Sequence, residues 1–169
     1  MGAIPTQELK LDGAGMEAVV ARADFAGDPE NLLAFVRSLD SRTSWPGAQL
    51  QYQHGDHLIY GVSMRLRGAA LTDITIDEEV GAVQRREDGA LYLRTAQQVT
   101  WPDGNADGLT EYLVLPQPES GTHALQFTYA YARPSSKLVK SKHLSEFKEG
   151  MQVVSNRYVS NLVKAAQGG

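Results

Sequence analysis

The amino-acid sequence predicts an α+β fold: a curved antiparallel β-sheet wrapped around a long C-terminal α-helix, with two short helices near the N-terminus. Three observations predict it. Leu144, Phe147, Met151, Val154, Tyr158 and Leu162 recur at helical spacing and so share one face of a helix. From Gln49 to Tyr131 the apolar period is two, interrupted by turn residues, as in a run of antiparallel strands. Ahead of that run, one alternating segment leads directly into a helix start. An amphipathic helix must bury its apolar face, and the sheet is the only partner large enough. A twisted sheet gripping one helix leaves a cavity between them, and the function is expected there.

Residues 1–14 are expected to be a flexible N-terminus and 15–167 a single domain. Met16 to Phe25 alternates, with Val19, Ala21, Ala23 and Phe25 on one face, and reads as the first strand. In Gly27-Asp28-Pro29-Glu30, Asp28 is an N-cap, Pro29 suits the first helical turn and Glu30 complements the helix dipole. Leu32, Leu33, Phe35, Val36 and Leu39 supply the buried side of that helix. A second short helix at Ser41 to Ser44 ends at Trp45-Pro46-Gly47.

Leu50 and Tyr52 mark a short strand closing at the turn pair Gly55-Asp56. Leu58, Tyr60, Val62, Met64 and Leu66 share one face of the next strand, with Arg65 and Arg67 opposite. Thr72, Ile74 and Ile76 continue on a fourth, with Asp73, Thr75 and Asp77 opposite. Val80 to Arg86 reads as a further short strand, and Glu87-Asp88-Gly89 as a hairpin turn. Leu91, Leu93, Thr95, Gln97, Val99 and Trp101 form one face of a long strand that ends at the turn cluster Pro102-Asp103-Gly104-Asn105. Leu109, Glu111, Leu113 and Leu115 follow, then a loop from Pro116 to Gly121. Leu125, Phe127, Tyr129 and Tyr131 line the last strand. A basic stretch with Lys137, Lys140 and Lys142 leads into a final helix from about Lys142 to Ala166. Its polar residues Lys148, Gln152, Ser155 and Asn156 fall largely away from the apolar face.

A chain of 169 residues suits one domain with a substantial core. Apolar residues at 42% and charged residues at 21% are ordinary for a soluble globular protein. A net charge of −4 carries no nucleic-acid footprint. The lack of cysteine removes disulfides, thiolate nucleophiles and cysteine-based zinc sites, and fits the reducing cytoplasm expected as the location. Met1 to Leu11 has no signal-peptide pattern, and no apolar run approaches the roughly 18–20 residues of a membrane span. There is no P-loop, dinucleotide-binding glycine fingerprint, HExxH or GxSxG, so no cofactor is expected. His54-x-x-His57 lacks a third ligand at suitable spacing and reads as two turn residues, so no metal site is expected.

Three segments carry a resemblance. They are Phe25-Ala26-Gly27-Asp28-Pro29-Glu30-Asn31-Leu32-Leu33-Ala34-Phe35 at the first strand-to-helix junction, Trp45 after the second helix, and the long helix from Lys142 to Ala166. Together they resemble the START-related SRPBCC superfamily, the helix-grip proteins that include polyketide cyclases and pollen-allergen-like carriers. The resemblance covers residues 16–166. It implies a deep apolar pocket under the last helix and a hydrophobic, polyketide- or lipid-like small molecule as ligand. It names no catalytic set, because the superfamily hosts many functions.

Within that frame Glu111 is the candidate catalytic residue. It is the only acidic residue that the alternation places among leucines on a strand face read as interior. A carboxyl in apolar surroundings has its charged form disfavoured, which suits a general acid or base. The alternative is that Thr110, Tyr112 and Val114 face inward and Glu111 is a solvated edge residue. Tyr129 is the second catalytic candidate. Tyr60, Tyr129 and Tyr131 carry phenols on apolar faces, where a ligand oxygen can serve as partner. Trp101, with Trp45, could wall an aromatic ligand, and Thr95 and Gln97 would orient it. Met64 and Met151 could supply an adaptable lining, with Phe127 and Tyr158 beside them.

Three functions follow. The resemblance implies a cyclase, aromatase or dehydratase of bacterial secondary metabolism, folding a reactive chain in an apolar pocket while a few polar groups move protons. A non-catalytic carrier or sequestering protein for a lipid or aromatic metabolite would need only the pocket. An interaction module would use the outer sheet face with Arg65, Arg67, Asp73 and Asp77, and the basic run from Lys137 to Lys142 could touch an acidic partner. A homodimer is compatible with each.

Overall fold

The computed structural model describes residues 16–66, 69–102, 104–132 and 141–168. Strand β1 (Met16–Phe25) leads into helix α1 (Pro29–Val36) and a 3-10 turn (Leu39–Ser44). Seven strands follow: β2 (Ala48–His54), β3 (His57–Leu66), β4 (Ala69–Val80), β5 (Gln84–Arg85), β6 (Leu91–Trp101), β7 (Gly104–Gln117) and β8 (Thr122–Ala132). A second 3-10 turn (Ser141–His143) opens helix α2 (Leu144–Gly168). The strands form one sheet in the order β1-β8-β7-β6-β4-β3-β2, with β5 paired to β6, and the paired strands run antiparallel. This is the α+β architecture expected.

Local chemistry sets the N-terminal elements. The Asp28 carboxylate caps α1 by accepting from the Glu30 amide at 2.9 Å, with Pro29 in the first turn. Leu32, Leu33 and Val36 are the buried side of that helix. The 3-10 turn reaches back to Leu39. It is held against the sheet through Gly47, whose φ of +83° is left-handed and whose missing Cβ would lie 2.2 Å from the Ser63 carbonyl oxygen. No side chain fits there, so glycine is what lets the turn lie on β3.

Cross-strand register defines two faces. Leu93, Tyr112 and Phe127 stand in one row, and Thr95, Thr110 and Tyr129 in the next. These rows are buried beneath α2 and form the concave face. Arg94, Glu111 and Thr128 form a row of the opposite, convex face. Helix α2 buries Phe147, Met151, Val154, Tyr158 and Leu162 as its period predicts, and also Val159 and Val163. Ser155, expected largely away from that face, is fully buried with it. The helix lies along β1 and meets the 3-10 turn, α1, β8 and β3. Over β4, β6 and β7 the interior is spanned by long side chains instead of by close backbone packing.

Two expectations about strands change. β4 continues through Val80 and only Gln84–Arg85 forms the extra strand. Thr72 is exposed and does not join Ile74 and Ile76, because Asp73 adopts a φ of 56° and the β3–β4 register shifts between Val62 and Met64, a bulge that resets the alternation.

Candidate functional site

The concave face is sealed at one end and opens at the other. Along β6 the inward residues go from Leu93 at 0% exposure to Thr95 at 1% and Gln97 at 6%, and then to half-buried Val99 and Trp101. Along β8 the same climb runs from Leu125 at 0% through Phe127 at 1% to Tyr129 at 6% and Tyr131 at 7%. The register sets Gln97 opposite Gly108 and Gly108 opposite Tyr131, so both climbs point the same way. Ile76 and Ile74 of β4 lie at this end as well, since Ile76 pairs with Val99. Interior apolar side chains that keep some exposure at one end mark a mouth, near the β6–β7 hairpin.

Below the mouth sits a buried polar network. Glu78 of β4 is 1% exposed and opposes Gln97. Its Oε1 accepts from Arg42 Nε at 2.8 Å and from the Tyr60 hydroxyl at 2.6 Å, and its Oε2 accepts from the Thr95 hydroxyl at 2.6 Å. The Thr95 and Thr110 hydroxyls are hydrogen-bonded to each other. Gln97 joins the rim, accepting from the Tyr129 hydroxyl at 2.6 Å and donating to the Tyr60 oxygen at 3.4 Å. On the deep side, Arg42 Nη1 donates to the Val36 carbonyl at 2.8 Å, Ser41 Oγ at 2.6 Å and the Tyr158 oxygen at 3.2 Å, and Tyr158 bonds Tyr112 at 2.6 Å.

The charges in this network are locked. Burial alone would push the Glu78 carboxyl up, but the Arg42 guanidinium and the three hydrogen bonds outweigh it and hold it below its ordinary value. Burial likewise works against the charge of Arg42, and Glu78 beside it more than compensates. Burial raises the phenols of Tyr60, Tyr112, Tyr129 and Tyr158, and the Glu78 charge adds to the rise at Tyr60 and Tyr129. At neutral pH the concave face therefore holds one closed ion pair and neutral hydroxyls.

The structure brings together Tyr60, Thr95, Gln97 and Tyr129 as one bonded group. Phe127 and Tyr158 pack in the aromatic cluster around Trp45, whose ring lies 5.0 Å from Tyr158 and 5.8 Å from Tyr129. Tyr131 stacks edge-on between Tyr129 and Phe147, and Met151 is buried on the facing side of α2. Trp101 stands at the mouth, packed over Gly104, where a Cβ would come within 3.2 Å of its ring. The Met64 side chain lies outside the described residues, as do Arg67, Lys137, Lys140 and the first 14 residues.

Glu111 is the main correction. Its register partners Arg94 and Thr128 put it on the convex face, opposite in sense to Thr110 and Tyr112. It is not a solvated edge residue either: it is 1% exposed, accepts from the Tyr92 hydroxyl and lies 3.4 Å from Arg94 Nη2. It cannot reach the concave face. The carboxylate that does face inward is Glu78, and the alternation carried this signal, because Ile74, Ile76, Glu78 and Val80 form one row. Arg42 had no such signal, since a six-residue 3-10 turn has no period to read.

The convex face has its own hollow of about 490 Å3, lined by His57, Asp77, Glu79, Ala96, Gln97, Gln98, Asp107, Gly108 and Leu109. The short Ala96 side chain sits between Glu79 and Leu109 in one cross-strand row. His57 contacts Asp77 at 2.7 Å, and that hydrogen bond raises its pKa above the ordinary histidine value. Among the described residues, no group of three or more histidine or acidic side chains is arranged to hold a metal ion. No helix is long and apolar enough to cross a membrane, among the described residues.

No protein-family model matches the chain, and no curated protein matches its sequence. Its fold does match solved structures. The Zhui aromatase/cyclase from Streptomyces sp. R1128 superposes with a TM-score of 0.57 at 13% identity, over 90% of this chain and 94% of that one. The di-domain ARO/CYC BexL from the BE-7585A biosynthetic pathway gives 0.59 at 10% identity, over 95% of this chain and 53% of BexL, so this chain spans about half of it. Hypothetical protein jhp0584 from Helicobacter pylori gives 0.62 at 14% identity, over 98% of this chain and 97% of that one. At such identities the likeness is one of architecture. With a curved antiparallel sheet closed over a long C-terminal helix, this chain has the helix-grip, polyketide cyclase-like fold.

Proposed function

We propose that the protein takes a hydrophobic, oxygen-bearing small molecule of the polyketide type into the concave face, with its polar end at Gln97 and Tyr129. The observation that carries the reading is the shared climb in exposure along β6 and β8, which ends on that amide–phenol pair among apolar walls. Pockets of this kind pair an apolar lining with a few convergent polar groups. Solved structures of the same fold that are named aromatase/cyclases favour a polyketide-like ligand over a simple lipid.

The geometry also shapes what turnover would use. Glu78 is committed to Arg42 at 2.8 Å, and Glu111 faces the other way, so neither is placed to shuttle a proton to a ligand. A cyclase built on this site works by confining a folded chain and stabilising its oxygens through neutral groups, chiefly Tyr129, Gln97 and Tyr60. Without turnover the same site serves a carrier. The absence of a free carboxyl from the network just described favours binding as its first task.

An environment-sensitive apolar dye is expected to bind once per chain and to be displaced by polycyclic aromatic compounds. Trp101→Ala widens the mouth and is expected to change the order in which competitors displace the dye, with larger ring systems gaining most. If no apolar probe binds saturably, the reading fails and the convex face around Asp77 becomes the better candidate, as a surface for a partner protein.

A further inference from the structure

The hydrogen bonds of the concave face have a forced direction, and the direction runs out to the ligand. Glu78, ionised beside Arg42, can only accept. The Tyr60 hydroxyl proton therefore points to Glu78 Oε1 at 2.6 Å. A phenol has one proton, so the Tyr60 oxygen has only lone pairs left, and Gln97 Nε2 at 3.4 Å is the donor that meets them. The opposite amide orientation would set Oε1 against that oxygen with no proton between them. Gln97 Oε1 thus faces Tyr129, whose hydroxyl donates to it at 2.6 Å. Tyr129 has then committed its single proton as well.

Gly108 makes the arrangement fit. A Cβ at that position would lie 3.1 Å from the Tyr129 ring and 3.2 Å from Gln97 Oε1. Burial and the nearby Glu78 charge keep the Tyr129 phenol well above its ordinary value, so it stays neutral. Its oxygen presents lone pairs, and no proton, to the space at the mouth.

We infer that the ligand meets Tyr129 with a hydroxyl and not with a carbonyl: the molecule taken is an apolar compound bearing a phenol- or enol-type O–H, which donates to the Tyr129 oxygen. A carbonyl at the same place would set lone pairs against lone pairs. This inference rests on the concave face being the ligand site.

The test compares 1-naphthol with 1-methoxynaphthalene by displacement of the bound dye. The ether keeps the rings and the acceptor oxygen and lacks only the donor. On the wild-type protein, naphthol is expected to bind roughly three- to tenfold tighter than the ether. In Tyr129→Phe the difference is expected to vanish, with dye affinity and thermal melt showing that the fold and the site persist. The wild-type comparison decides the sign by itself if the variant does not fold. An ether that binds as well as naphthol to the wild type overturns the inference and leaves the ligand site standing. A preference for naphthol that survives in a folded Tyr129→Phe overturns it too, because the donor then goes elsewhere. Failure of the dye and both probes to bind removes the ligand site and the inference together.

Discussion

Glu78→Leu is expected to destabilise the fold by about 3–5 kcal/mol, the usual result of removing one partner of a buried ion pair. The reason is what remains. Arg42, 2% exposed, would keep its charge with no carboxylate beside it, and Tyr60 and Thr95 would lose their acceptor. The double variant Arg42→Met with Glu78→Leu removes both charges and is expected to recover most of the loss, because a buried pair adds little over well-packed apolar groups. The pH dependence has a definite sign. The folded Glu78 value lies below the unfolded one, so its contribution is complete above the ordinary carboxylate range. It is lost as pH falls through the folded value. Urea unfolding at pH 7 and through the acid range measures both effects. A single variant as stable as wild type would mean that the pair is not closed in the folded protein.

Met151→Asp is expected to cost a comparable amount, on the order of 3–5 kcal/mol. Met151 is 4% exposed on the α2 face that looks into the concave sheet, and no cation is bonded across from it among the described contacts. An aspartate there must either stay charged in apolar surroundings or take up a proton. Either way the grip of the sheet on the helix weakens. Thermal melting reads the loss directly. A midpoint within a degree or two of wild type would place that helix face in solvent and contradict the fold.

The sequence carried the periodicity of the fold, and with it the inner rows of β6 and β8, the Asp28 cap and the buried face of α2. What it did not carry was which face of β7 turns inward. Both faces of that strand are apolar, because the convex side has a small core of its own formed by Ala90, Tyr92 and Leu113 with Leu115 beside it. Leu109, Leu113 and Leu115 therefore looked like an interior row, and Glu111 was carried inward with them. Only pairing with Leu93 and Thr95 assigns Tyr112 and Thr110 to the concave side. Glu78 was legible in principle and was lost by ending the fourth strand at Asp77, one residue short. Arg42 depends on tertiary placement: the left-handed Gly47 seats its turn on β3, and the sheet partner lies 36 residues away.

The most direct test of a concave ligand site is a chemical-shift titration of isotope-labelled protein with 1-naphthol. The account predicts saturable shifts at Gln97, Trp101, Tyr129, Phe147 and Met151, which surround the mouth, with Asp77, Ala96 and Leu109 on the convex side unmoved. Shifts confined to the convex hollow, or no saturable shifts at all, would contradict it.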